Sequence, residues 1–164
     1  LVEVTIINRE GIEQVLRQDQ IEFGYRSSNI PSDAIIVEAV FEAPLVDSCY
    51  LKTKMAEQLM ARNSTQPISE RTAGSTFRNP SGKSSIGLKD DDTERTAWKL
   101  IDDVGLRGFV LGGAQVSDKH PNFLVNRGNA LSKDFEELGE LIRKKVLQNT
   151  GIELQWEVIR VGVK

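Results

Sequence analysis

The stretch Arg71-Thr72-Ala73-Gly74-Ser75-Thr76-Phe77-Arg78-Asn79-Pro80 gathers hydroxyls, guanidinium groups and a carboxamide around a glycine. Ser75 and Thr76 can donate a proton, Arg78 presents a fixed fork of donors, and Asn79 offers both donors and an acceptor. Gly74 permits a positive φ or a close approach to the backbone beside Ser75. Pro80 pushes Asn79 towards extended backbone and away from helix. The nucleophile-elbow pattern is missing, because no glycine lies two residues after Ser75, and the phosphate-loop pattern is missing as well. A serine without an adjacent histidine base is a poor nucleophile but can still act as a proton donor. Taken alone the stretch reads as a polar turn between two elements, and context has to decide.

Other chemistry-bearing residues are sparse. His120, the single histidine, stands between Lys119 and Pro121 and reads as a loop residue. A lone histidine cannot form a multi-histidine metal site, and a single cysteine, Cys49, leaves neither an intrachain disulfide nor a multi-cysteine site. With no cation flanking it, Cys49 reads as structural, on or near the apolar side of a helix. Met55 and Met60 read as core residues. Asp90-Asp91-Asp92 lacks the alternating spacing of a calcium loop and reads as solvated, so no metal is expected. Asp102 and Asp103 are adjacent on a helix and point to different sides, which argues against a carboxylate pair. Tyr25 and Arg26 read as a surface stacking pair, and Glu157, on an ordinary surface strand, would be unremarkable.

The 164 residues suffice for one domain with a core, or one domain with part of another. An apolar share of 39% and a charged share of 27% are ordinary for a soluble globular chain. The net charge of −3, with no basic stripe, argues against a nucleic-acid partner. No apolar run is long enough for a membrane span and no signal peptide is visible, so a reducing, cytoplasmic setting is expected. The chain opens on Leu1, directly in a strand-like run, as a C-terminal part of a longer protein would.

The elements that must position these residues follow from pattern. Residues 2–7 read as a strand, 8–11 as a turn, and 12–23 as mixed and weakly periodic. Ala34 to Ala43 reads as a buried strand. Pro44 to Asn63 reads as a helix with Leu51, Met55 and Leu59 on one face. Thr93 reads as an N-cap with Glu94 in the first turn. Ala97, Trp98, Ile101 and Val104 form a buried stripe, and Gly105 ends that helix. Gly112-Gly113 signals a turn, and Phe123-Leu124-Val125 a short strand ending at Asn126. Ser132 reads as the cap of a last helix with Phe135, Leu138, Leu141, Ile142 and Val146 on its apolar face, stopped at Gly151. Ile152 to Val161 reads as a final strand. The sum is an α+β fold rather than a regular βαβ wind.

Several segments together resemble the UDP-N-acetylenolpyruvoylglucosamine reductases, flavoenzymes of bacterial cell-wall synthesis. They are Phe23-Gly24-Tyr25-Arg26-Ser27-Ser28; Arg62 with Gln66-Pro67; and Ala73 to Pro80. Next come Ala97 to Gly108; Gly112-Gly113-Ala114-Gln115-Val116-Ser117 with His120, Asn122-Phe123 and Asn126; and Leu154 to Gly162. Each segment is weak alone, but their order and spacing run through nearly the whole chain. The resemblance implies two regions: 1–43 as the end of an FAD-binding domain and 44–164 as a substrate-binding C-terminal domain.

The resemblance also implies a reaction: NADPH reduces FAD, and hydride passes to C3 of UDP-N-acetylglucosamine enolpyruvate, giving UDP-N-acetylmuramate for peptidoglycan. By their matching positions, Ser75 is the proton donor to C2 and Glu157 the C-terminal catalytic glutamate near the developing enolate. Asn79 and His120 fall at substrate contacts. Arg62 or Arg71 would carry charge recognition where Thr65 replaces a lysine found in some relatives. Tyr25 lies in a motif at the hinge to the substrate domain. The family's third catalytic residue, a flavin-domain arginine, and its glycine-rich pyrophosphate loops are absent here. The chain alone is therefore expected to be inactive, and its cofactor-binding residues and oligomeric state stay unassigned. The alternatives are a non-catalytic UDP-sugar or nucleotide-binding module, which would not need both Ser75 and Glu157, and a purely structural interaction domain.

Overall fold

A computed structural model describes residues 1–80 and 96–162. The chain divides into two compact units, Leu1–Lys52 and Thr53–Lys164. The expected features at Asp90–Asp92, Thr93 and Glu94 lie outside the described residues.

In the first unit, β1 (Glu3–Ile7), β2 (Glu13–Arg17) and β5 (Ile35–Val40) form an antiparallel sheet in the order β2-β1-β5. The β1–β2 turn is tied by Asn8, whose Oδ1 accepts the amides of Glu10 and Ile12 at 3.0 and 2.9 Å. Such a local bond replaces ladder pairing at a turn. Val4, Ile6 and Ile21 form a small buried cluster. The weakly periodic run 12–23 hides β2, an edge strand exposed along nearly all its length, so no alternation marks it. β5 forms where expected but is exposed at every residue rather than buried. It pairs with β1 along one edge, and among the described residues its faces stay uncovered. Two-residue strands β3 (Phe23–Gly24) and β4 (Ser27–Ser28) flank a turn at Tyr25-Arg26. There the Arg26 guanidinium lies 5.8 Å from the Tyr25 ring centroid.

Helix α1 (Ser48–Thr65) begins later than its apolar pattern suggests. Asp47 Oδ1 accepts the Tyr50 amide at 2.9 Å and so caps the start. Among α1's described residues none is buried, so Leu51, Met55, Leu59 and Met60 are surface residues rather than core. Cys49 is exposed for the same reason.

The second unit is built on a four-stranded antiparallel sheet in the order β6-β9-β8-β7. Its strands are β6 (Thr72–Ser75), β7 (Val110–Leu111), β8 (Ala114–Val116) and β9 (Phe123–Asn126). Helices α2 (Ala97–Asp103) and α3 (Ser132–Thr150) contact each other, and α3 contacts β7 and β8. Their shared core holds Leu100, Ile101, Val116, Leu138, Ile142 and Val146. The helical spacing of α3 puts Leu138, Ile142 and Val146 on one stripe, and all three are buried as expected.

The start of α3 differs in detail. Leu131 takes the N-cap position, so Ser132 lies inside the helix. Asp134 does the capping: its Oδ2 accepts the amides of Leu131 and of Gly113, each at 3.0 Å. One carboxylate thereby ties the helix start to the β7–β8 turn. Those two bonds hold its pKa below the ordinary value.

The expected final strand does not form. Residues 152–161 make an isolated bridge, Phe77↔Trp156, and otherwise run irregularly. The side chain of Arg143 diverts the segment from a ladder onto α3. Its Nε donates to the Leu154 carbonyl at 2.8 Å and its Nη2 to Glu153 at 2.8 Å.

Candidate active site

Ser75 ends β6, where the pairing with β9 shifts register between Thr72 and Ser75. Gly74 makes that irregularity possible with φ of +90°, a conformation costly for any residue with a Cβ. Ser75 is half-buried and pairs with Phe123.

Beyond Ser75 the chain leaves the regular ladder but keeps its bonds. The Thr76 amide donates to the Asn122 carbonyl at 2.7 Å. The Asn122 carboxamide then takes the place of a strand: Oδ1 accepts the Phe77 amide at 2.9 Å and Nδ2 donates to the Phe77 carbonyl at 2.8 Å. Asn122 is buried, so these bonds are shielded from competing water.

On the other side of residues 76–78 runs the C-terminal segment. The Glu157 amide donates to the Thr76 carbonyl at 2.9 Å, and the Arg78 amide to the Gln155 carbonyl at 2.9 Å. Glu157 therefore stands against the residue that follows Ser75. Two positions more than eighty apart in sequence become backbone neighbours, Thr76 buried and Glu157 half-buried.

His120 joins the same network. Its Nδ1 accepts the Asn122 amide at 3.3 Å, and its ring stands edge-on to Phe123 with centroids 4.7 Å apart. Trp98 lies on another side at 6.4 Å. A ring that accepts at Nδ1 carries its proton on Nε2 when neutral. Burial of the imidazole, foremost, and the nearby Arg107 charge push its pKa below the ordinary value.

Asn79 is used structurally: its Oδ1 accepts the Ala97 amide at 3.0 Å, capping the first turn of α2. Arg62, exposed near the end of α1, donates from Nε to Gln66 Oε1 at 3.1 Å. Arg71 is exposed at the entry to β6, and its carbonyl accepts the Asn126 amide at 2.9 Å. The Lys119 ammonium bonds the Asn63 carbonyl and so ties the His120 loop to the end of α1. Tyr25 belongs to the other compact unit. Among the described residues no cluster of histidine, cysteine and carboxylates could hold a metal ion, and no helix is long and apolar enough to cross a membrane.

Three residues that sequence reasoning passed over shape this site. Asn122 was visible only as part of a motif. Trp156 fell inside the expected final strand with nothing to single it out. Gly139 sits in the middle of α3, where glycine costs about 1 kcal/mol relative to alanine. A lone glycine inside a strong helical period is the one signal that could have exposed it. A Cβ there would lie 1.9 Å from Trp156 Cη2, so the bare backbone is what admits the indole.

This is an α+β domain that brings the backbone following Ser75 against the segment that carries Glu157. This chain belongs to the family of UDP-N-acetylenolpyruvoylglucosamine reductase C-terminal domains, whose family model matches residues 66–161. It is 50% identical over 164 residues to the UDP-N-acetylenolpyruvoylglucosamine reductase of Roseobacter denitrificans, covering 100% of the chain and 53% of that protein. The reductase of Paracoccus denitrificans is 51% identical over 162 residues, 99% of the chain and 53% of the relative. The crystal structure of UDP-N-acetylenolpyruvylglucosamine reductase from Thermus caldophilus matches with a TM-score of 0.73 at 32% identity. That match covers 96% of this chain and 52% of the other. The chain thus spans about half the length of the curated relatives it matches.

Proposed function

We infer that this chain supplies the substrate-handling half of a reductase that converts UDP-N-acetylglucosamine enolpyruvate to UDP-N-acetylmuramate in peptidoglycan synthesis, in the cytoplasm. Residues 44–164 are the substrate domain in this reading, and 1–43 the end of the flavin-binding region. The observation that carries it is the bond from the Glu157 amide to the Thr76 carbonyl, which sets Glu157 beside Ser75.

A hydroxyl and a carboxylate carried by neighbouring backbone segments fit the substrate side of the chemistry. They form no cradle for a pyrophosphate or an isoalloxazine, so no residue of this chain is assigned to FAD. FAD, held by the rest of the whole protein and reduced by NADPH, would supply a hydride for C3 of the substrate. The electron pair of the C2–C3 double bond is left at C2 as an enolate. Ser75 Oγ–H donates the proton to C2, and the resulting alkoxide regains a proton from solvent. Glu157 stands where charge develops next to the substrate carboxyl and shapes that field. Asn79, His120, Arg62, Arg71 and Tyr25 are the proposed substrate contacts.

The test is Ser75→Ala in the full-length enzyme, with the two half-reactions followed separately by stopped flow. NADPH-to-flavin reduction should stay nearly intact. Substrate-dependent flavin reoxidation should slow by about 10²-fold or more, the scale of a positioned acid. Glu157→Gln should slow the same step through charge placement. Equal slowing of both halves in Ser75→Ala would remove the proton-donor role.

A further inference from the structure

We propose that Trp156, seated on Gly139, is a positioning residue for the reaction, holding Glu157 against the Ser75 segment. The inference rests on the reading of Ser75 and Glu157 given above.

The indole is held from several directions. Its outer edge lies over Gly139, where a Cβ would meet Cη2 at 1.9 Å and Cζ2 at 2.5 Å. Its face stands 5.0 Å from the Phe77 ring centroid, tilted by 45°. Its Nε1–H donates to Glu140 Oε1 at 3.0 Å, and the Arg160 guanidinium lies 4.9 Å from its ring centroid. Burial works against ionisation of Glu140, but the hydrogen bonds from Trp156 and Arg143, with the charges of Arg143 and Arg160, outweigh it and lower its pKa. The acceptor therefore stays anionic through neutral pH, which strengthens the indole bond.

These contacts converge on the residue just before Glu157. The bridge that sets Glu157 opposite Thr76 is the Phe77↔Trp156 pair itself, and it is an isolated one. With no ladder extending the bridge, a few backbone bonds at residues 76, 78, 155 and 157 are all the main chain offers to fix the register of 155–158 against 76–78, and side chains add to them. The indole and the Phe77 ring are the pair that meets across that bridge. A slip there moves Glu157 relative to Ser75, and misplacement by about 1 Å can lower a rate about 10²-fold. Gly139 fixes how deeply the indole sits, so a mid-helix glycine far from Glu157 in sequence sets the carboxylate's location.

The test uses the full-length enzyme and three variants: Gly139→Ala, Trp156→Phe and, as a control in the same helix and core, Val146→Ala. Thermal melting ranks their stability. Amide hydrogen exchange is read at Arg78 and Glu157, whose N–H groups cross the bridge, and the two half-reactions are measured separately. Gly139→Ala should speed exchange at both amides about tenfold or more beyond Val146→Ala, as local opening of a weakly held segment would. It should also slow reoxidation selectively, while flavin reduction stays unchanged. Trp156→Phe, which keeps a ring in the slot but loses the bond to Glu140, should fall between and serves if Gly139→Ala does not fold. Exchange at those amides no faster than in Val146→Ala overturns the positioning role. Faster exchange with normal reoxidation in Glu157→Gln overturns the role through the reading of Glu157, and the two failures are thereby distinguished.

Discussion

His120 connects a titratable ring to the backbone that carries Ser75. Its Nδ1 accepts the Asn122 amide, a bond that an imidazolium cannot accept. Burial and the Arg107 charge favour the neutral ring in the folded chain. The unfolded chain takes up this proton near the ordinary histidine pKa of 6.5, the folded chain only at lower pH. Between those values the unfolded state binds more protons, so stability falls as pH is lowered from 6.5 through the folded value. The shifted carboxylates, Asp102, Asp134 and Glu140, titrate below their ordinary range and act at more acid pH. His120→Gln should flatten the loss of stability just below pH 6.5, which denaturant titrations at a series of pH values would measure. An unchanged slope in that variant would assign the pH dependence to other groups.

At the scale of elements, the segment after β6 is held by one side chain acting as a strand. Asn122→Ala would leave the amide and the carbonyl of Phe77 without their partners in a buried setting. Each lost partner costs about 1–3 kcal/mol, so the expected destabilisation is about 3 kcal/mol, read from the midpoint of a urea transition. Asn122→Asp keeps an acceptor for the Phe77 amide but turns an oxygen towards the Phe77 carbonyl, so it should be little better than alanine. This interaction explains why the site was only partly legible in sequence. The helix α3 was readable because its apolar residues repeat at 3.6 positions, and the strand β9 because Phe123-Leu124-Val125 is a short continuous apolar run, buried throughout. Residues 152–161 carry strand-like residues, yet Arg143 and the indole slot on α3 divert them, and neither leaves a periodic mark. Ser132 looked like a cap by residue type, but Asp134, three residues beyond Leu131, reaches back further and takes the amides. Ser75 and Glu157 were reached through the resemblance, since nothing in local pattern pairs positions so far apart. Asn79 is proposed as a substrate contact, and the cap that it also gives α2 had no local signal, because it depends on a helix start eighteen residues later.

At the scale of the whole molecule, the proposed substrate-side residues Ser75, Glu157 and His120 all lie in the unit Thr53–Lys164, and β5 and the short hairpin at Tyr25 lie in the other. No residue of either unit is assigned to FAD. The 164-residue chain should therefore bind FAD weakly or not at all, which fluorescence titration of the flavin would measure. Tight, stoichiometric binding would mean that the flavin region reaches further into this chain than residue 43. The sheet order β2-β1-β5 bears on how such an experiment behaves. β5 is an outermost strand, and Ile35, Ile36 and Val37 along it are all exposed. An apolar strand whose outer edge pairs with no other strand among the described residues is a template onto which another copy can add its own strand. In a concentrated solution of the isolated chain that edge favours strand-to-strand self-association, so turbidity and light scattering, rather than unfolding, set the usable concentration range.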